Sequence, residues 1–454
     1  MALRRVLVAN RGEIARRIIR ACHDEGLEAV AVHSEVDAAA PFTAEADHAE
    51  LIGAGPAPQS YLNAGALLDA ARRSGADAVH PGYGFLSENA GFASAVTAAG
   101  LTWVGPPAEV IAAMGDKVAA RATMRAAGVP VVPGTDDALG EDDDVDAAAA
   151  AVGFPLMVKA RAGGGGIGMQ RVDDPAALAA AVATARQRAT AAFGDGGVFL
   201  ERFVDRPRHV ELQVVADAHG GTIHLGEREC SVQRRHQKVI EESPSCALDG
   251  ALRARMAAAA LRAAAAIGYR NAGTVEFLVD AAGDFHFLEM NTRLQVEHPV
   301  TEMRTGIDIV RLQLRIAAGE PLGIAQDEVR FDGHAVEMRV YAEDPYRMFP
   351  SPGTITAWRE PSGPGIRVDS GVVEGSVVSH LYDPLLAKLI VHAPTRDEAL
   401  ELALRAVDGF TVEGVRTNLP LHRHILASAP FRAGDYTTAL LEVIGPVPRP
   451  VPAG

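Results

Sequence analysis

Glu289–Glu302 reads EMNTRLQVEHPVTE and follows two strand-like runs, Gly273–Asp280 (GTVEFLVD) and Asp284–Leu288 (DFHFL), separated by a turn around Ala281–Gly283. That pattern predicts a β-hairpin. Strand side chains alternate faces. A four-residue turn, Ala281–Asp284, sets Glu276 opposite Glu289, whereas a three-residue turn sets Glu276 opposite Leu288 and parts the two acids. Facing carboxylates repel unless a cation sits between them. Hard oxygen donors from few carboxylates, completed by phosphates and water, suit Mg²⁺ or Mn²⁺. Asn291 and Arg293 share the face of Glu289 if the strand continues. The alternative is an exposed hairpin with solvated acids. It fits poorly, because the acids interrupt a run of Val, Phe, Leu and Met.

The chain around this hairpin has 454 residues, enough for about three domains. Its formal net charge of −15 argues against nucleic acid as a general partner. Cys22, Cys230 and Cys246 have no CxxC spacing, which points to a reducing compartment without a disulfide framework. No apolar run reaches membrane-spanning length, and MALRRVLVANRGE shows no signal peptide. A cytoplasmic enzyme is the expectation.

Upstream, Arg5–Ala9, the helix Ile14–Glu25 and Leu27–His33 predict a βαβ opening whose turn (NRGE) lacks GxGxxG. Ala76–His80 runs into PGYGFLSEN (Pro81–Asn89), a loop at the C-terminal end of a strand. Open α/β sheets bind ligands there; a structural turn capped by Ser87 or Asn89 is the equal alternative. Asp116–Ala127 predicts a helix with Lys117 in its first turn, and Glu141–Asp146 an acidic helix start. Phe154–Ala160 predicts a strand with Lys159 near its end, followed by RAGGGGIGM (Arg161–Met169). A glycine run can bring backbone N–H groups close to phosphates, or form a flexible surface hairpin. It is no Walker A loop, because Lys-Ser/Thr is missing. Val198–Phe203, His209–Asp217 and Thr222–Glu227 predict strands, and Arg228–Ser245 is a basic, hydrogen-bond-rich stretch suited to phosphate or carbonate oxygens, with a charged surface loop as the alternative. Ala251–Ile267 and Gly306–Ala318 predict helices. His334–Glu343 opens a third region that closes with Arg396–Gly409 and Leu419–Ser428.

ANRGEIARR, HPGYGFLSEN, MGDK, GGGGxGM, RHVELQ, ECSVQRRHQKVIEESPS, EMNTRLQVEHPVTE, AEDP and FPSPG occur in this order, and over roughly residues 2–445 the chain resembles biotin carboxylase. The resemblance implies an α/β and α+β architecture. A Rossmann-like pre-ATP-grasp domain (1–115) would precede an ATP-grasp domain (116–325) with a glycine-rich lid (131–204). A C-terminal biotin carboxylase domain (326–446) and a disordered tail (447–454) would follow. It implies an ATP-dependent ligase, the first half-reaction of an acetyl-CoA or other acyl-CoA carboxylase. ATP and bicarbonate would give carboxyphosphate, whose CO₂ passes to N1′ of biotin on a separate biotin carboxyl carrier protein. Carboxyltransferase subunits and a homodimer are also implied.

Residue by residue, the resemblance places Lys117, Lys159 and His209 on ATP phosphates, Glu201 on adenine, and Gln233 and His236 on the nucleotide. Gly164, Gly165, Gly166, Met169 and Leu278 would complete that site. Glu276, Glu289 and Asn291 would hold two Mg²⁺ or Mn²⁺ ions. Lys238, Arg293, Gln295 and Val296 would hold bicarbonate, with Glu297 as general base. Arg339 would stabilise the biotin enolate, with Tyr83 beside biotin. Ile167 stands where the family usually has Lys or Arg, and Pro364 where some relatives have an aromatic at the dimer contact. Two rivals differ in class. Another ATP-grasp ligase would not need QRRHQK, NTRLQVEH and Arg339 together. A non-catalytic nucleotide sensor would not need every proposed catalytic residue.

Overall fold

The computed structural model describes residues 3–140, 143–161 and 169–449. Five parallel strands open the chain: β1 (Arg5–Val8), β2 (Glu28–Ser34), β3 (His48–Gly53), β4 (Ala78–His80) and β5 (Thr102–Trp103). Their order is β3-β2-β1-β4-β5. Val6, Leu7 and Val8 are fully buried, as a central strand covered on both faces requires. The helix after β1 runs Gly12–Asp24, two residues earlier than the apolar pattern suggests.

Three antiparallel strands follow, β6 (Leu156–Ala160), β7 (Gln170–Val172) and β8 (Val198–Arg202), in the order β7-β6-β8. The acidic run does start a helix, Val145–Val152, through Asp144, whose side chain accepts from Ala147 N. Glu141 and Asp142 lie outside the described residues.

The third sheet carries the chemistry. It contains β9 (Arg208–Ala216), β10 (Thr222–Arg234), β11 (Gln237–Ser243), β12 (Asn271–Val279), β13 (Phe285–Asn291) and β14 (His334–Tyr341). Leu385–Ala393 and Ile366–Ser370 extend it to eight strands, in the order β13-β12-β9-β10-β11-β14 and then those two. Every pairing is antiparallel. Strands on both sides of β11–β14 thus belong to one sheet.

Three local readings change. Glu276 does face Glu289, but the connection spans Asp280–Asp284 and a bulge between Glu276 and Phe277 restores the register. The longer loop and the bulge offset each other. Arg228–Ser245 is not a loop. It forms most of the β10–β11 hairpin, turned by Arg235 and His236 at φ 50° and 68°. Two positive-φ residues suit a two-residue hairpin turn. The strand was hidden because Glu227, Arg228 and Glu229 are all buried, so polarity does not mark the solvent face. Finally, β13 stops at Asn291, and His298–Thr305 is a helix with Pro299 in its first turn.

The N-terminal helix abuts the C-terminal strands. A Cβ on Gly371 would come within 2.6 Å of Glu13 N, so that contact needs glycine. Arg17 pairs with Glu302 at 2.9 Å, and Arg367 pairs with Glu302 at 2.8 Å. The start of the expected disordered tail is packed: Val447 is buried in the C-terminal core. Residues 450–454 lie outside the described residues.

Acid should loosen the C-terminal core through Glu242. His334 lies 2.7 Å from it and Arg396 donates at 2.8 Å. Burial opposes ionisation, but His334 and Arg396 outweigh it and lower the carboxyl from 4.5 to about 2. A depressed carboxyl contributes stability above its unfolded pKa and loses it as pH falls through the folded value. The difference corresponds to about 3 kcal/mol. The Tm gap between wild type and Glu242→Gln should therefore narrow as pH falls from 6 toward 3.5. A gap independent of pH would remove Glu242 from this role.

Candidate active site

Alternation on β9, β12 and β14 points acids and bases from neighbouring strands at one another. Glu276 lies opposite Glu211 on β9 and opposite Glu289 on β13. Lys238 on β11 is the hub. Its ammonium donates to Glu211 at 2.5 Å, Glu297 at 2.6 Å and Glu276 at 3.0 Å. Arg339 on β14 reaches the other oxygen of Glu297 at 2.9 Å. Beneath them Arg228 is fully buried, donating to Glu211 at 2.6 Å and to Gln213, Thr274 and Thr301. Such a charge is tolerated inside only because its donors are engaged.

The electrostatics divide the acids. Burial disfavours the Glu297 carboxylate, but Lys238, Arg339 and Arg228 outweigh it and hold the group well below the usual range. Glu276 is likewise held low, against burial, by Lys238 and His209. Glu289 moves the other way: burial and the Glu276 charge raise it, while Lys117 opposes. Lys117 stands 3.9 Å from Glu289.

Two triads have ligand-like spacing, His209/Glu211/Glu276 and Glu211/Cys230/Glu297. Lys238 contacts an acid in each, so the protein's own cation already fills them. The better metal fit is at the sheet edge. Glu289 has a raised carboxyl facing Glu276, and Asn291 Nδ2 donates to Glu276 at 2.8 Å. A divalent cation there would relieve the repulsion, and the oxygen donors suit Mg²⁺ or Mn²⁺.

Several expected residues join this cluster. His209 Nε2 lies 2.7 Å from Glu276, and Gln233 Nε2 lies 2.5 Å from His209 Nδ1. Gln295 donates to Glu276 at 3.1 Å and accepts from Arg293 at 2.8 Å. Arg293 has left the strand but returns to Asn291 Oδ1 at 2.9 Å. The Val296 carbonyl accepts from Lys388 at 2.9 Å, and the Tyr83 hydroxyl bonds Glu13. Lys159 pairs with Glu201, which Arg121 also approaches at 2.9 Å. Leu278, half-buried on β12, is the cross-strand partner of His209, and Met169 directly precedes β7. His236 is not brought in, because it is exposed at the hairpin turn. Gly164, Gly165, Gly166 and Ile167 lie outside the described residues.

Sequence reading gave no role to Glu211, Arg228, Glu241 and Glu88, and offered Glu337 only as a structural ion-pair partner of Arg339. Glu211 carried a signal, two residues from His209 in an apolar strand. Glu88 joins the PGYGFLSEN loop to the cluster, accepting from Arg293 at 2.9 Å, while Asn89 caps the next helix. The cap bears out the structural-turn reading at Asn89, and the Glu88–Arg293 pair sets the loop beside the cluster.

Fold and cluster together define an ATP-grasp enzyme with a C-terminal strand completing its site. The chain matches the models for "Biotin carboxylase, N-terminal domain" over 2–111, "Carbamoyl-phosphate synthase L chain, ATP binding domain" over 116–325, and "Biotin carboxylase C-terminal domain" over 337–443. It is 52% identical to a biotin carboxylase of Halalkalibacterium halodurans, covering 96% of this chain and 97% of that protein. It is 50% identical to a biotin carboxylase of Pseudomonas aeruginosa, covering 97% of this chain and 98% of that protein. The fold superposes on a Campylobacter jejuni biotin carboxylase in complex with a nucleotide at TM-score 0.95 and 42% identity, covering 97% of this chain and 99% of that one. The chain belongs to the biotin carboxylase family, and it is an ATP-dependent ligase.

Proposed function

We propose that this chain carboxylates biotin on a separate carrier protein with ATP and bicarbonate, through carboxyphosphate. The observation that carries the reading is Glu297, fully buried between Lys238 and Arg339. One carboxylate there faces the ATP-grasp strands on one side and a C-terminal strand on the other.

In the first step Lys238, Arg293, Gln295 and the Val296 amide hold bicarbonate. The entering anion competes for Lys238 and Arg339, so Glu297 recovers basicity as its cations turn to the substrate. Glu297 takes the bicarbonate proton, and the freed oxygen attacks the γ-phosphorus as ADP leaves. Lys117, Lys159 and His209 neutralise phosphate oxygens, with Glu201, Gln233, Met169 and Leu278 lining the nucleotide. Glu276, Glu289 and Asn291 would hold Mg²⁺ or Mn²⁺, which neutralises charge on the transferring phosphoryl group. Carboxyphosphate then separates into CO₂ and phosphate. Phosphate takes the biotin N1′ proton, Arg339 holds the charge arising on the ureido oxygen, and N1′ attacks CO₂. Tyr83 lies beside that substrate.

A domain division at 1–115, 116–325 and 326–446 accompanies this reading, with a cytoplasmic setting and carboxyltransferase partners. Among the described residues no helix is long and apolar enough to cross a membrane. A homodimer is proposed because a Hydrogenobacter thermophilus 2-oxoglutarate carboxylase biotin carboxylase domain, 44% identical at TM-score 0.95, is a dimer with MgADP, ADP and bicarbonate. Pro364 is exposed in this chain.

The test is ADP release with free biotin, with and without bicarbonate. Release that ignores both would point to a different ATP-grasp ligase. The metal role has its own test. Glu289→Gln removes charge without volume and should move the Mg²⁺ midpoint for ATP cleavage at least about tenfold, or about 1.4 kcal/mol. An unchanged midpoint would take Glu289 out of the metal site.

A further inference from the structure

The cluster ends in a second, drier group of acids. Glu241 on β11 and Glu337 on β14 are direct cross-strand partners. Both are fully buried. Cross-strand side chains project from the same face, their Cβ atoms about 4.5–5.5 Å apart. Arg339, two residues beyond Glu337, shares that face. Its Nε donates to Glu241 Oε1 at 2.6 Å and its Nη2 approaches the same oxygen at 2.5 Å, while Nη2 also reaches Glu297. The guanidinium is thus clamped by Glu241 on one side and by the proposed base on the other.

Three carboxyl oxygens in this pair are left over. Among the described residues Glu241 Oε2 and both oxygens of Glu337 are buried without a hydrogen-bond partner. Two adjacent carboxylates cannot both stay ionised in a dry site. One proton on Glu337 turns it into a donor, and the free acceptor on the facing strand is Glu241 Oε2. Burial above all pushes Glu337 well above the usual carboxyl range, with Lys388 opposing. Glu241 is raised to about 7 by burial, with Arg339 opposing and Glu297 adding to the rise. Lys238 also faces Glu241, and Glu241, Arg339 and Glu297 face Glu337.

We infer that Glu241 is a positioning residue that aims Arg339 at the second substrate, and that Glu337 serves as a neutral acid holding Glu241 in place. The inference rests on the reading of Arg339 given above. An arginine that must meet charge only as it develops gains from being fixed beforehand. Glu241 supplies that fixation without touching substrate. Glu337 prevents a lone ionised carboxylate from turning away, at no cost in net charge.

The experiment compares Glu241→Gln, Glu337→Gln, Arg339→Gln and the double variant Glu241→Gln/Arg339→Gln. Carboxylation of free biotin, biotin-independent ADP release and Tm are measured on each preparation. Glu241→Gln should lower kcat for biotin by about 10–10²-fold, the scale of a small misplacement. KM for biotin should move only a few-fold, and the ratio of biotin-dependent to biotin-independent rates should fall. Glu337→Gln keeps a donor at the same place, so Glu241→Gln should cost at least ten times more. The double variant should be no slower than Arg339→Gln alone. If Glu241→Gln is too unstable to purify, Glu241→Asp keeps the charge but shortens its reach and should lower the same ratio. A selective loss in Arg339→Gln with wild-type ratios in both Glu241 variants would overturn the positioning role alone. Equal loss of both rates and of Tm in Glu241→Gln would make the clamp merely structural and overturn it too. An Arg339→Gln variant that loses both rates equally would instead sink the reading of Arg339 and the inference with it.

Discussion

Glu297→Ala lowers bicarbonate-dependent ADP release by about 10²–10⁴-fold, the usual contribution of a positioned base, while ATP still binds. The side chain is fully buried and meets Lys238 at 2.6 Å and Arg339 at 2.9 Å. On the proposed reading it sits where those two cations would draw in bicarbonate. The nucleotide contacts assigned to Lys117 and Lys159 do not pass through it, and neither residue pairs with it. Truncation also leaves two cations without one of their acids. Glu297→Gln, which preserves volume, separates lost basicity from lost packing. Steady-state rates, nucleotide binding and Tm on both variants decide the matter. A wild-type rate in either would place the base elsewhere.

Arg339→Gln should cut biotin carboxylation by about 10²–10³-fold, or roughly 2.7–4 kcal/mol, the loss typical of one preorganised donor. Bicarbonate-dependent ATP cleavage without biotin should fall far less. The residue lies on β14, and its partners are Glu241 and Glu297. The alternative is a purely structural pairing of Arg339 with Glu337 or Glu343. Glu343 instead pairs with Arg234 at 2.6 Å, and Arg339 pairs with Glu241 and Glu297 rather than with Glu337. Both rates and the melting temperature should be read on one preparation. Parallel loss of all three would return Arg339 to a structural role.

Much of this was legible because the decisive residues break local rules. Glu276 and Glu289 interrupt an apolar hairpin, and the strand register does set them opposite each other. The mirror-image failure came at β10–β11. There polarity and exposure are uncoupled, since Glu227, Arg228 and Glu229 are buried. An alternation rule that equates charge with solvent reads such a strand as a loop. The bulge in the β12–β13 hairpin was invisible for another reason. Loop length and bulge compensate, so a wrong turn length still predicts the right pairing. The pairing of Glu241 with Glu337 was missed because it depends on a cross-strand register 96 residues apart, which no local pattern encodes.

The unbroken sheet from β13 to β14 bears on the lifetime of an unstable intermediate. Four strand-to-strand steps separate β12 from β14, a span of about 19 Å at the usual strand spacing. A relay of side chains, Glu276, Lys238, Glu297 and Arg339, links its two ends. On the proposed reading, a mixed anhydride made at one end would reach its acceptor without leaving the sheet. Handover would then run within one sheet. The toll of poor coupling would then be spent ATP without product. Substitutions that loosen the β11–β14 seam should reveal themselves first as wasted turnover, before any loss of nucleotide affinity.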